Sequence, residues 1–150
     1  MGDLDIRRAT ADDLPAIVAM LADDPLGAQR ECLDDMTPYR AALERLVADP
    51  NQRLVVAVRD GRVIGTLQLT IIPGLSHKGM TRALIEAVRI HADERGSGLG
   101  SLLIEWAIDT ARRLDCRMVQ LTSDKTRTAA HRFYERLGFS ATHEGFKLRL

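Results

Sequence analysis

The sequence predicts an α/β domain built around a mixed sheet, and three observations carry that expectation. Helical spacing of apolar residues and β-type alternation follow one another in the order β-α-α-β-β-β-α-β-α-β. A hairpin signal, Asp60-Gly61, joins two strand-like runs. A strand-glycine-helix junction follows, with Gly96, Gly98 and Gly100 inside five positions. No repeat, low-complexity tract or Pro/Ser-rich linker interrupts the 150 residues, so a single domain over 1–150 is expected.

The elements can be justified in order. Residues 5–8 read as a first strand. Thr10 opens a helix with Asp13 as its capping-box partner, and Leu14, Ile17, Val18 and Leu21 form its apolar stripe. Residues 22–36, with Pro25 and Gly27, read as irregular. Thr37-Pro38 starts a second helix, whose expected buried face is Ala42, Leu43, Leu46 and Val47 and whose end lies near Asp49-Pro50. Residues 54–58 and 63–72 are strands; in the second, Leu67, Leu69 and Ile71 alternate with Thr66, Gln68 and Thr70. Pro73-Gly74 stops that strand, and the loop LSHKG leads to a long strand over 80–91. A helix to about residue 115 follows, with Leu99, Leu102, Leu103, Trp106, Ala107, Ala111 and Leu114 at helical spacing. Residues 117–122 read as a strand, 128–137 as a helix closed by a left-handed Gly138, and 147–150 as a last short strand.

Composition narrows the class. Hydrophobic residues make up 45% and charged residues 28%, ordinary for a globular protein. Lys+Arg and Asp+Glu both number 21, a zero formal balance that argues against a nucleic-acid partner. No apolar run approaches a membrane span, and MGDLDIRRAT lacks the apolar core of a signal peptide. Ile6 stands where a myristoylation motif needs Ser or Thr. Cys32 and Cys116 form neither a CxxC pair nor a zinc spacing. A cytoplasmic enzyme or binding protein, without nucleic-acid or membrane partners and without a metal, is the expectation.

The glycine segment is the strongest chemical signal. A helix N-terminus carries unpaired N–H groups and about half a positive charge, so it attracts anions. Glycine lets a phosphate approach the backbone and permits φ > 0. A flexible connector would also use glycine; the strand-glycine-helix context favours a phosphate cradle, with Arg95 adding charge. The P-loop pattern is absent because no Gly-Lys-Ser/Thr follows. The dinucleotide pattern GxGxxG is absent because the spacing here is GxGxG.

Arg95-Gly96-Ser97-Gly98-Leu99-Gly100 matches Arg/Gln-x-x-Gly-x-Gly/Ala and resembles the pyrophosphate motif of the GCN5-related N-acetyltransferase (GNAT) superfamily. AHRFYERLGF, residues 130–139, is similar to that family's second, tyrosine-bearing segment. The order and separation of both segments, and the element order over nearly the whole chain, agree with the resemblance. It implies a central mixed, mostly antiparallel sheet flanked by helices and splayed between the fourth and fifth strands. It implies acetyl-CoA as donor, an amine as acceptor and acyltransferase activity. One position departs: Arg127 replaces a frequent asparagine, and it either meets a cofactor phosphate or sits in solvent.

The resemblance also assigns residues. Val88 and Ile90 would offer backbone groups to the pantetheine arm or to the acetyl carbonyl. Arg95, Gly96, Ser97, Gly98, Leu99, Gly100 and Ser101 would wrap the pyrophosphate, while Arg127 and Ala130 join the cofactor set through the second segment. Tyr134 would donate a proton to the departing sulfur; a phenol with an ordinary pKa near 10 is protonated at neutral pH. Its structural alternative is a core aromatic. Glu86 is the candidate base, placed by strand parity with Leu84, Val88 and Ile90 on an apolar face where burial would raise its pKa. Its alternatives are an ion pair with Arg82 or Arg89, or a bulge that turns it outward.

Residues 22–39 and 73–80 correspond to the family's acceptor pocket. Arg30, His77 and Lys78 there, with Arg82 just beyond, are the acceptor-binding candidates: by likeness to compact small-amine members Arg30, Lys78 and Arg82 would face a phosphate or phosphonate, and His77 either touches the acceptor or sits in solvent. His91, His131 and His143 carry no pairing that points to a metal. Three functions stand: transfer to a small primary amine, transfer to a protein N-terminus or lysine, and acyl-CoA binding without turnover. A homodimer through sheet edges or the apolar C-terminal segment around Phe146 is compatible with each.

Overall fold

Strands β1 (Asp5–Arg8), β2 (Gln52–Arg59), β3 (Arg62–Ile72), β4 (Arg82–Ile90) and β5 (Met118–Leu121) lie side by side in that order in the computed structural model, which describes residues 2–150. The first three pairings are antiparallel and β5 runs parallel to β4. The expected mixed, mostly antiparallel sheet flanked by helices is therefore observed. The chain forms two compact units, one up to Gln120 and one over Leu121–Leu150.

Local chemistry explains the element boundaries of the first unit. Asp13 is buried, its carboxylate accepts from the Thr10 N–H at 2.7 Å, and it receives both Nη groups of Arg7 at 2.7 and 3.0 Å. That capping box leads through a short 3₁₀ turn into α1 (Leu14–Ala22). Helix α2 (Thr37–Ala48) starts with proline in its first turn. Asp60 and Gly61, with φ of 52° and 74°, close the β2–β3 hairpin as the Asp-Gly signal predicts.

One side of the sheet buries Ala9, Ile17 and Val56 beneath α1, with Leu21, Leu54, Val58 and Val63 around them. Gly65, by contrast, faces α4 (Leu99–Arg113): a Cβ there would lie 3.0 Å from Leu103 Cδ1. Leu99, Leu103, Ala107 and Ala111 fill that layer, as the helical spacing predicts, and Ile104, which the spacing did not single out, joins them. Trp106 is only half-buried, and Leu102 and Leu114 are exposed.

Two sequence-based expectations need correction. The apolar face of α2 is narrower than its periodicity implies: Leu43 is its buried residue, whereas Val47 is 69% exposed. Spacing marks which residues share a face but not how much sheet covers it. Residues 147–150 form no strand, and Phe146 and Leu148 are exposed. Their alternation has the right period, yet no strand edge among the described residues supplies ladder hydrogen bonds.

Candidate active site

The outer half of β4 departs from regular strand geometry. Gln68 faces Glu86 across the ladder, but Thr66 faces Arg89, so two steps on β3 match three on β4. The extra residue is a bulge, and Ala87 sits in the left-handed region at φ 52°. Parity is broken there. Glu86 therefore shares its face with Leu84 and Arg89, not with Val88 and Ile90, and it is exposed. The apolar burial expected for Glu86 is absent, and the bulge that follows it resets the alternation so that Val88 and Ile90 leave its face. The bulge also leaves backbone at Ala87 and Val88 out of the β3 ladder. The Val88 carbonyl accepts from Arg89 Nη1 at 2.9 Å.

Beyond β4, His91 Nδ1 accepts from the Asp93 N–H at 3.1 Å and starts a short turn. Arg62 pairs with Asp93 at 3.0 Å, and Arg59 with Glu94 at 3.1 Å. Those contacts tie the turn to the β2–β3 hairpin, and the Arg62 guanidinium holds the Asp93 carboxyl below its ordinary range. The turn delivers the chain to Arg95.

Gly96 and Gly98 have φ of 81° and 86°, and Gly98 is the N-cap of α4. Among the described residues no heavy atom lies within 4 Å of where their Cβ atoms would stand. The left-handed backbone, not crowding, demands glycine at both positions. The first bond of α4 runs from the Leu102 N–H to the Gly98 carbonyl at 3.2 Å. The amides of Leu99, Gly100 and Ser101 thus have no helical acceptor. Buried Leu99 anchors this helix start. Ser97 turns its donors inward: its N–H and Oγ both reach the Glu94 carbonyl, at 3.2 and 2.6 Å. Left-handed glycines, orphan helical amides and the Arg95 guanidinium make a donor set suited to a diphosphate.

Arg95 has a partner that its motif does not announce. Its Nη2 donates to Asp23 Oδ2 at 3.1 Å, just past the end of α1. The next carboxylate, Asp24, pairs with Arg89 Nη2 at 3.3 Å. A cavity of about 330 Å³ opens beside Asp23, lined also by Ala19, Met20, Ala22, Leu33 and His91. Asp23 and Asp24 directly follow α1, and these pairings carry no sequence signal.

The acceptor-site candidates are dispersed. Arg30 is exposed and donates from Nε to the Leu26 carbonyl at 3.0 Å. His77 and Lys78 lie in the single turn α3 (Ser76–Gly79), exposed, with φ of 52° and 61°. Arg82 starts β4 opposite Ile72. Cys116 is half-buried, and burial pushes its thiol pKa up, in keeping with a packing residue.

The second unit carries helix α5 (Thr128–Arg136), with exposed Arg127 at its N-cap. Asp124 accepts from the Thr126 hydroxyl and N–H at 2.6 and 2.9 Å, which holds its carboxyl low. The Arg127 N–H donates to the Asp124 carbonyl at 3.0 Å. Ala130 and Tyr134 are half-buried. The Tyr134 ring meets Phe133 and Phe139 edge-on, with centroids 5.2 and 6.0 Å away. Gly138, at φ 97°, ends the helix as expected.

Comparison with known proteins assigns the class of this fold. The acetyltransferase (GNAT) family model matches residues 14–139, so the chain belongs to the GNAT family and is an N-acetyltransferase. It is 30% identical over 145 residues to an aminoalkylphosphonate N-acetyltransferase of Salmonella typhimurium, covering 95% of this chain and 88% of that protein. It is 29% identical over 140 residues to a glucosamine 6-phosphate N-acetyltransferase of Trypanosoma brucei brucei, covering 87% and 93%. A crystal structure described as a transcriptional regulator from Bacillus halodurans C-125 superposes with a TM-score of 0.95 at 45% identity, covering 99% of this chain and 100% of that one. Among the described residues no helix is long and apolar enough to cross a membrane.

Proposed function

We propose that this N-acetyltransferase moves the acetyl group of acetyl-CoA to the primary amine of a small molecule that also carries a phosphate or phosphonate. The observation that carries the reading is the cradle: two left-handed glycines, orphan amides at the start of α4, and Arg95. The two relatives described above, by their names, act on amines that bear a phosphorus oxyanion.

Acetyl-CoA supplies an acyl carbon joined to a sulfur leaving group. The amides of residues 98–101 and the Arg95 guanidinium hold the diphosphate, and backbone at Val88 and Ile90 aligns the pantetheine arm, Val88 lying where the bulge leaves the β3 ladder. Arg127 and Ala130 complete the cofactor set. Glu86, in water, takes the amine proton through a solvent molecule. The amine nitrogen attacks directly in a ternary complex, the C–N bond forms, the C–S bond breaks, and the Tyr134 hydroxyl protonates the sulfur before recovering its proton from solvent. Arg30, Lys78 and Arg82, with His77, bind the acceptor's anionic end. The whole of residues 1–150 acts as one catalytic domain in the cytoplasm, and the strand-patterned segment around Phe146 and Leu148 pairs with a second copy.

A second reading, favoured by the likeness to a protein described as a transcriptional regulator, is acyl-CoA binding without turnover. Thiol release from acetyl-CoA across a panel of aminoalkylphosphonates, glucosamine 6-phosphate, simple amines and lysine peptides separates these. Turnover confined to phosphorus-bearing amines supports the proposal, and peptide acetylation supports a protein-directed enzyme. Coenzyme A binding with no turnover on any amine would favour the regulator.

A further inference from the structure

Two consecutive carboxylates at the end of α1 meet two arginines of the cofactor region, but in different environments. The side chains of Asp24 and Arg89 are only 23% and 17% exposed, and Arg89 belongs to β4, opposite Thr66. Those of Asp23 and Arg95 are both 56% exposed, and Arg95 lies outside any strand or helix. A shielded pair held by a sheet strand resists exchange, because separating it strands a desolvated charge. An exposed pair between a loop and a helix end is worth little and exchanges readily.

We propose that Asp23 is an autoinhibitory competitor for the cofactor at Arg95, and that Asp24–Arg89 is the fixed anchor that keeps it in place. This inference rests on the reading of residues 95–101 as the diphosphate cradle. Arg95 Nη2 donates to Asp23 Oδ2 at 3.1 Å and, at the longer distance of 3.4 Å, to the Asp23 carbonyl. A diphosphate entering the cradle must share or replace that carboxylate, and it meets an adjacent negative charge while doing so. The exchange loosens the start of the segment over residues 23–36. The backbone could not serve as the competitor, because the N–H groups at the start of α4 have no acceptor to give up. The anchor also explains the order of the two acids. Asp24, fixed on Arg89, leaves its predecessor within reach of the loop that follows β4.

The test is a double-mutant cycle read by calorimetry with coenzyme A. Asp23→Asn removes the competing charge and retains side-chain size, so coenzyme A should bind about two- to fivefold tighter than to the wild type, the range expected for one exposed ion pair. In an Arg95→Gln background the same substitution should change affinity less than twofold, because its partner has gone. Unchanged or weaker binding by Asp23→Asn would overturn the proposal. An equal gain in the Arg95→Gln background would also overturn it, since the carboxylate would then act only as a diffuse charge. Absence of coenzyme A binding by the wild type would overturn the cradle itself, and with it both readings. A melting curve for each variant shows that the comparison is made on folded protein.

Discussion

Replacing Gly98 by alanine tests whether the backbone at the start of α4 is a binding device. Gly98 has φ 86°, and no described heavy atom lies within 4 Å of the new Cβ, so the cost is purely conformational. An L-residue held in the left-handed region loses about 1–2 kcal/mol. For a chain of this length each kcal/mol lowers Tm by roughly 2–4 °C, so a drop of about 2–8 °C is expected. Relaxing that strain rotates the amides of residues 98–101 away from a common centre. A hydrogen bond to a charged group is worth about 1.5–3 kcal/mol, so losing one should weaken coenzyme A at least about tenfold. Gly61→Ala is the matched control, because Gly61 also has a positive φ, 74°, and open space around it, but lies in the β2–β3 hairpin. Both variants should melt early in differential scanning calorimetry, and only Gly98→Ala should lose affinity in titration calorimetry. If Gly98→Ala melts early and still binds coenzyme A within twofold of the wild type, the cradle does not bind through these amides.

Other expectations follow from the same geometry. Tyr134→Phe keeps the edge-on contacts with Phe133 and Phe139 and removes only the hydroxyl; steady-state kinetics should show kcat reduced by about 100-fold with coenzyme A affinity unchanged. Asp13 is held below its ordinary pKa, chiefly by its hydrogen bonds from Arg7, so its stabilising contribution is complete above about pH 4 and disappears as pH falls through the lower folded-state value. Urea midpoints of the wild type and Asp13→Asn should therefore differ most at neutral pH and converge toward pH 2. Gly65→Val places a branched side chain where even a Cβ meets Leu103 Cδ1 at 3.0 Å and the Arg89 carbonyl at 3.4 Å. Chemical denaturation should show a loss of about 1–3 kcal/mol, and an unchanged midpoint would contradict the packing of β3 against α4.

Much of this architecture can be read before any coordinates. Asp60-Gly61, the Thr10–Asp13 box, Pro38 at the start of α2 and Gly138 after α5 all stand at the boundaries they signal. Each rests on chemistry confined to a few neighbouring residues, such as a permitted φ, a missing N–H or a reachable amide. Gly96 and Gly98 belong to the same class, so their left-handed backbone and the family resemblance were legible together.

Tertiary structure alone decided the rest. Ala87 takes a left-handed conformation although alanine carries no local signal for it, because the β3–β4 pairing absorbs an extra residue there. That single residue put Arg89, in place of Val88 and Ile90, on the face of the exposed Glu86; strict period-two alternation leaves such a bulge out. Arg95 and Asp23 are 72 positions apart and meet only because α1 ends beside the exit of β4. Val47 has the spacing of a buried residue but is exposed. Sequence encodes what a short stretch of backbone can do by itself; which distant surface covers it, or which distant charge answers it, is set only when the sheet assembles.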